Sequence, residues 1–130
     1  MKFPTGLRFW RYAVAVYILL TFVLSSLPAD RLIPPVGFRI DWILHTIEYC
    51  ILGWILLRWL ALDAVEWPGW RRVGLTLLIA SAVGGLNELW QTQVPGRFCS
   101  LSDEIANILG AAVAILWYNS RLISKLRKQP

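Results

Sequence analysis

Four long apolar runs constrain this chain of 130 residues more than any other feature. They cover about residues 10–27, 41–62, 73–91 and 102–122. A run of about 17 to 25 apolar residues is long enough to cross a bilayer as a helix. Because the connections between the runs are short, neighbouring helices should be antiparallel. The sequence therefore predicts an all-α fold: a single domain over residues 1–130 that forms a four-helix transmembrane bundle.

Composition agrees with a membrane protein and argues against a nucleic-acid-binding one. Hydrophobic residues make up 57% of the chain and charged residues 16%, which is outside the usual range of soluble domains. The formal net charge is +5, but the basic residues flank the apolar runs and do not form one patch. We therefore expect a membrane-embedded protein with no nucleic-acid partner.

The basic residues also predict which side of the membrane each helix end faces, because cytoplasmic segments are enriched in Lys and Arg. With the N-terminus inside, the cytoplasmic ends carry Lys2, Arg8, Arg11, Arg58, Arg71, Arg72, Arg121, Lys125, Arg127 and Lys128. The outer side carries only Arg31, Arg39 and Arg97. The sequence thus predicts that both termini are cytoplasmic.

The first apolar run has the basic flank of a secretory signal peptide, with Lys2, Arg8 and Arg11 before it. The stretch that follows, SSLPAD, has no pair of small residues spaced for cleavage. We therefore expect a retained membrane span.

In this topology the polar residues of the spans collect in the outer leaflet. They are Asp41, His45, Glu48 and Tyr49 in the second span, Asn87, Glu88 and Gln91 in the third, and Arg97, Ser100, Asp103 and Asn107 in the loop and the fourth. The spacing of Asp41, His45 and Glu48 predicts one helix face. Ionisable groups in membrane spans are functional candidates by default. The sequence predicts a polar pocket in the outer half of the bundle.

Several of these residues have competing interpretations. His45 is either a proton carrier or a hydrogen-bonded packing residue. Arg97 either clamps an anion or pairs with an acid, and we favour a pair with Asp103 or Glu88. An acid at position 103 would cap the first turn of the fourth helix and suit its dipole. Asn107 lies one turn deeper, where an interhelical hydrogen bond explains it better.

The remaining expectations concern faces of the helices. Glu104 should point to another, solvated face. Small residues spaced four apart let membrane helices approach closely. This predicts tight packing at Ala106, Gly110 and Ala114, and at Ser81 and Gly85.

Metal and disulfide chemistry have weak support in the sequence. His45, Glu48, Glu88 and Asp103 form a mixed set of the kind that binds divalent ions, but a single histidine makes zinc a weak prediction. We therefore expect no metal and no cofactor. The two cysteines, Cys50 and Cys99, form no CxxC pattern and are expected to be free thiols.

Short motifs in a fixed order carry a resemblance to a known family. They are Ser25-Ser26-Leu27-Pro28, then Asp41, His45, Tyr49 and Gly53 in DWILHTIEYCILG, then Glu88 and Gln91 in NELWQ, then Pro95-Gly96-Arg97, Ser100, Asp103, Asn107 and Gly110. Together they resemble the VanZ-like family of small integral membrane proteins over about residues 25–110. The chain departs from that family at Trp42, where Lys is usual, and at Asn87 and Trp90, where Asp and His are frequent.

The resemblance implies a bacterial plasma-membrane location and a role in the cell envelope, since the family is named for a protein associated with teicoplanin resistance. The leading expectation is that an outer-leaflet pocket binds a polar or anionic headgroup, on a membrane lipid or a lipid-linked envelope precursor. The ligand-binding residues would be Arg97, Gln91, Ser100, Asn107 and Tyr49. One alternative is an enzyme that uses His45, Asp41, Glu88 and Asp103 for acid–base chemistry on such a lipid. Another is a structural bundle that stabilises a membrane partner.

Overall fold

The structure, a computed structural model, describes residues 6–28 and 38–126, without the side chains at 38, 39 and 121–126. These residues form four helices and no strand: α1 (Leu7–Ser25), α2 (Phe38–Asp63), α3 (Gly69–Gln91) and α4 (Leu101–Leu126). Each has a segment long and apolar enough to cross a membrane. The predicted all-α, four-span fold is confirmed, with helix ends within a few residues of the predicted ones.

Local chemistry explains where the helices begin and end. After α1 the N–H of Ser26 still bonds to the carbonyl of Phe22, at 3.0 Å, but Pro28 cannot continue the helix. Pro68 directly precedes α3 in an extended conformation. Between α3 and α4 the chain turns at Gly96, whose φ of 77° lies in the left-handed region. Glycine adopts that region without steric cost.

Contacts at both ends of the bundle establish an antiparallel arrangement. An ion pair between Arg11 and Asp63 joins the start of α1 to the end of α2. At the other end, the indole N–H of Trp42 donates to the carbonyl of Ser102 at 2.8 Å, which joins the starts of α2 and α4. We call this second end, where α1 and α3 end and α2 and α4 begin, the polar end. Which side of the membrane it faces stays a prediction.

Some residues on which that orientation rests lie outside the described part of the chain. They are Lys2, Arg31, Arg127 and Lys128, together with the side chains of Arg39, Arg121 and Lys125.

The interior of this bundle contains polar as well as apolar side chains, and its outer surface is strongly apolar. Large apolar side chains point outward, with Leu78 66% exposed and Leu116 70% exposed. Polar side chains such as Thr76 and Asn107 are completely buried. Lipid can cover an apolar surface at no cost, whereas a polar group in lipid needs a partner inside the protein. The outer surface therefore suits a membrane environment.

Small residues allow α2 and α4 to approach most closely, and this pair has the most extensive contact in the bundle. A Cβ added at Gly110 would lie only 2.2 Å from the carbonyl oxygen of Thr46. Ala106 and Ala114, four residues to either side, are also buried. The predicted tight packing along this stripe of α4 is confirmed.

The predicted packing role of Gly85 is wrong, because a Cβ there would meet nothing within 4 Å. The neighbouring Gly84 is the packed residue, and a Cβ on it would lie 2.3 Å from Oε2 of Glu104. Gly84 and Glu88 follow Ser81 by three and seven residues, so all three share a helix face. That face of α3 lies against α4.

Candidate functional site

Three ionisable side chains from three helices meet at the polar end of the bundle. They are His45 of α2, Glu88 of α3 and Asp103 of α4, and we call them the acid–histidine cluster. Each offers one nitrogen or oxygen atom, and these three atoms all lie within 4.8 Å of one another. His45 and Glu88 are buried and Asp103 is half-buried. Residues far apart in sequence thus form one compact polar centre.

The three groups converge without bonding to each other. Among the described residues, His45 forms no ion pair or hydrogen bond with either carboxylate, and the one ion pair is that of Arg11 with Asp63. The side chains are therefore held by other partners.

The orientation of His45 is set through Asn107 and Glu104. Nδ1 of His45 lies 3.1 Å from Oδ1 of Asn107, and Nδ2 of Asn107 donates to Oε2 of Glu104 at 3.3 Å. An ionised carboxylate can only accept, so the amide nitrogen of Asn107 faces Glu104 and its oxygen faces His45. In the neutral imidazole the proton then belongs on Nδ1, which leaves the lone pair on Nε2.

Glu104 is anchored in turn by α3, because the hydroxyl of Ser81 donates to its Oε1 at 2.9 Å. The prediction that Glu104 is solvated on another face is wrong. Glu104 is three residues from Asn107, so the two side chains lie on neighbouring turns of α4. Gly84 allows α3 to come so close that Glu104 is held between the helices. The predicted interhelical hydrogen bond of Asn107 is confirmed.

Glu88 links the end of α3 to the start of α4. Its Oε2 accepts the backbone N–H of Ser100 at 2.9 Å. Its other oxygen, Oε1, is buried and has no hydrogen-bond partner in the described part of the chain. Oε2 of Glu88 therefore links the two helices, whereas Oε1 can still accept a hydrogen bond.

Asp103 lies in the first turn of α4, as predicted, where negative charge suits the helix dipole. The capping role predicted for it belongs to Ser100, whose hydroxyl oxygen accepts the N–H of Asp103 at 3.4 Å. The carboxylate of Asp103 accepts the hydroxyl of Ser102, also at 3.4 Å. Because no backbone amide of the described residues holds it, this carboxylate is free to face the cluster.

Two further buried side chains, Tyr49 and Asn87, lie near the cluster and are 0% exposed. The Tyr49 hydroxyl and the Asn87 amide interact with each other, although neither forms a hydrogen bond of full geometry within the described ranges. A buried unsatisfied polar group costs about 1 to 3 kcal/mol. Oε1 of Glu88 is the clearest group of this kind at the polar end.

Arg97 faces α1, and the predicted ion pair with Asp103 or Glu88 is wrong. Its Nε donates to the carbonyl of Leu27 at 3.0 Å, and its Nη1 donates to Oε1 of Gln91 at 3.5 Å. Gln91 itself donates to the hydroxyl of Ser25 at 3.4 Å. The turn at Gly96 directs the guanidinium toward the end of α1, away from the acids. Arg97 and Gln91 therefore brace the rim of the polar end.

The remaining polar residues of α2 have different surroundings. Asp41 lies in the first turn of α2, as predicted, but it is exposed and is not a member of the cluster. Glu48 is half-buried and lies within electrostatic range of His45 and Arg97. The shared spacing of Asp41, His45 and Glu48 therefore brings only His45 into the centre.

The indoles of two tryptophans form hydrogen bonds between helices at the polar end. Trp42 bonds to α4 through the carbonyl of Ser102, and the Nε1 of Trp90 donates to the hydroxyl of Ser26 at 2.9 Å. Both cysteines are free thiols, with Cys50 half-buried and Cys99 exposed.

Sequence reasoning missed the support of His45 by Glu104 and Ser81. A usable signal was present: Ser81 and Glu88 are seven residues apart on α3, and Glu104 and Asn107 are three apart on α4. Both spacings are those of a single helix face.

Fold and site together define a class: an all-helical protein with four candidate membrane spans and a buried acid–histidine cluster at one end. No protein-family model, no curated protein and no solved structure matches the chain. Chemically, such a cluster can bind a polar group, move a proton or hold a cation.

Proposed function

We propose that this protein is a VanZ-like integral membrane protein of the cell envelope. It binds the polar headgroup of a membrane lipid or a lipid-linked envelope precursor at the polar end, in the outer leaflet, and contributes to glycopeptide resistance. The observation that carries the proposal is the convergence of His45, Glu88 and Asp103 within 4.8 Å. These residues come from three of the separate motifs on which the family resemblance rests.

Energetics favour a binding site over a purely structural network. A network that only locks helices together should satisfy its own members, because partial satisfaction is costly in a low-dielectric interior. Here Oε1 of Glu88 is buried without a hydrogen-bond partner among the described residues, and the Tyr49 hydroxyl and the Asn87 amide interact short of full hydrogen-bond geometry. A headgroup rich in hydroxyl or phosphoryl groups would supply the missing partners.

The residues of the site divide into two groups, those that would bind the ligand and those that hold the binding side chains. Glu88 binds a hydroxyl or amide group through its unpartnered Oε1, and Tyr49 and Asn87 bind such groups through their buried polar atoms. Arg97 is half-buried at the rim, where two of its three guanidinium nitrogens already donate, and it attracts the anionic part of the headgroup. Gln91 holds Arg97 in place, Ser100 holds Glu88, and Asn107 holds His45.

The proposal is tested by single substitutions in a bacterial host that expresses the full chain. Glu88→Gln and Asp103→Asn keep the size of each side chain and an oxygen that accepts the existing hydrogen bonds. We expect the protein level to stay within about twofold of wild type, while teicoplanin susceptibility rises to that of cells without the protein. Removal of one charged hydrogen-bonding group costs about 1.5 to 3 kcal/mol, roughly tenfold or more in affinity.

The matched control is Glu66→Gln, because Glu66 is exposed in the loop between α2 and α3, at the opposite end. It should leave both protein level and susceptibility unchanged. A protein level that falls in step with resistance would instead assign the cluster a structural role, as in a bundle that stabilises a partner. Unchanged susceptibility in both cluster variants would refute the proposed function.

A second candidate function, acid–base catalysis on the same lipid, is favoured by the way His45 is held. Its Nδ1 is occupied by Asn107, so in the neutral imidazole Nε2 keeps its lone pair, as a general base requires, and the ring lies beside two carboxylates. His45→Gln separates the candidates. Loss of resistance with headgroup binding retained indicates catalysis, whereas loss of both indicates binding alone.

A further inference from the structure

We propose that the acid–histidine cluster binds one divalent metal ion, of the manganese, iron or zinc class. The ligands are Nε2 of His45 and the carboxylates of Glu88 and Asp103. This inference goes beyond the proposed function, since an ion can bind whether or not a headgroup does. It also departs from the expectation of no metal that the sequence suggested.

The spacing of the three groups fits a shared ion better than direct contact. Ligand atoms lie about 2.0 to 2.2 Å from such an ion, so any two of them are about 3 to 4 Å apart. One nitrogen of His45 and one oxygen of each carboxylate lie within 4.8 Å of one another, and small side-chain rotations would bring the three ligand atoms to that spacing. They form no hydrogen bond or ion pair with each other in the described part of the chain.

The partners of His45 are those of a metal ligand. A histidine that binds a metal through one nitrogen almost always donates its other N–H to a fixed acceptor. Here Nδ1 faces Oδ1 of Asn107, and Glu104 fixes which way the Asn107 amide points. A histidine that served only for packing would not need an acceptor whose orientation is itself set by a carboxylate, and that carboxylate is held by Ser81 of a third helix.

An independent observation at Glu88 also points to a ligand. Glu88 is 2% exposed, and its Oε1 has no hydrogen-bond partner among the described residues. Two carboxylates held this close repel each other when both are ionised, and the guanidinium of Arg97 is directed to Leu27 and Gln91. A cation between Glu88 and Asp103 removes the repulsion and satisfies Oε1 in one step.

The mixed ligand set narrows the choice of ion. Carboxylates alone suit magnesium and calcium, whereas an imidazole shifts preference toward transition metals. One nitrogen and two oxygen donors leave further coordination positions open to water or to a headgroup oxygen. A ligand set of this kind is typical of sites that act on or bind a second molecule.

The test is metal binding by the full chain, purified in detergent and stripped with a chelator. Equilibrium dialysis against Mn²⁺ or Zn²⁺, with metal counted by mass spectrometry, should find one ion per chain. Glu88→Gln and Asp103→Asn should each weaken binding about tenfold or more, while the exposed Glu66→Gln should not. Wild-type protein that retains neither ion, or cluster variants that bind as tightly as wild type, would overturn the proposal.

Glu104→Gln provides a variant in which all three ligands remain. A glutamine amide can donate as well as accept, so it allows the Asn107 amide to point either way. The proton of His45 is then no longer fixed on Nδ1. Loss of such a supporting partner weakens metal binding about 10- to 100-fold. Unchanged affinity in this variant, at wild-type helix content by circular dichroism, would contradict the assigned role of the Ser81–Glu104–Asn107 chain and the metal site built on it.

Failure of the metal site and failure of the proposed function are distinguishable. Native mass spectrometry in the presence of the chelator measures retained lipid without metal. Lipid retained by a chain that binds no ion would refute the metal site and leave the proposed function standing. One bound ion in a chain that retains no headgroup would refute the proposed function and leave the metal site standing.

Discussion

At the scale of single residues, the polar end contains two kinds of buried amide. Asn107 has both of its polar atoms engaged, one with His45 and one with Glu104. Asn87 is equally buried, but its amide interacts with the Tyr49 hydroxyl without forming a hydrogen bond of full geometry within the described residues. Asn107 therefore contributes more to the stability of the bundle than Asn87 does.

This contrast predicts effects of different size for two matched substitutions. Asn87→Leu removes a buried amide that has only a weak interaction with the Tyr49 hydroxyl, so the free energy of unfolding should change by less than about 1 kcal/mol. Asn107→Leu leaves His45 and Glu104 without their hydrogen-bond partner and should lower the free energy of unfolding by about 1 to 3 kcal/mol. Thermal unfolding in detergent measures both. Equal destabilisation by the two variants would contradict the contrast between the two amides.

At the scale of helices, the contact between α2 and α4 sets the geometry of the site. The absence of a side chain at Gly110 lets Thr46 approach α4 through its backbone. His45 and Asn107 lie next to these two residues in sequence and bond across the same interface. The separation of the two helices thus determines whether the histidine is held.

Gly110→Ala should therefore disturb both packing and site. The added methyl would lie 2.2 Å from the carbonyl oxygen of Thr46, and overpacking of this kind costs about 1 to 3 kcal/mol. Gly85→Ala is the matched control, since its methyl would meet nothing within 4 Å. Protein level in membranes and thermal stability in detergent should fall for the first variant only. Equal tolerance of both would contradict the close approach of α2 and α4.

At the scale of the whole molecule, the sequence was sufficient for the helices and for the end of the bundle at which the polar residues collect, but it did not separate His45, Glu88 and Asp103 from Asp41 and Glu48, which lie outside the cluster. A membrane span needs about 20 apolar residues, so the runs are visible without any knowledge of packing. Antiparallel connections then bring His45, Glu88 and Asp103 to the same end, as predicted.

The partners of individual side chains were less predictable, because they depend on how each helix is rotated about its own axis. The face of α4 that meets α3 is set by Gly84, and this is why Glu104 is bonded and not solvated. The partner of Arg97 depends on the turn at Gly96 and on the end of α1, 70 residues away in sequence. Neither contact leaves a periodic signal.

Orientation in the membrane is a property of the whole chain with its own test. Cys99 is exposed next to the polar end, so in a Cys50→Ala background a membrane-impermeant thiol reagent should label it on intact cells. The excess of basic residues at the opposite ends of the helices is the physical reason for this expectation. Labelling that requires permeabilised cells would place the polar end in the cytoplasm.

The central claim is that the buried polar groups at the polar end form a binding site. Native mass spectrometry of the full chain, released gently from detergent micelles, tests it most directly. Wild-type protein and Glu66→Gln should carry a bound molecule with a lipid-sized mass and a polar headgroup, and Glu88→Gln should retain roughly tenfold less of it. Equal retention by wild type and Glu88→Gln, or no bound molecule on wild type, would contradict the claim.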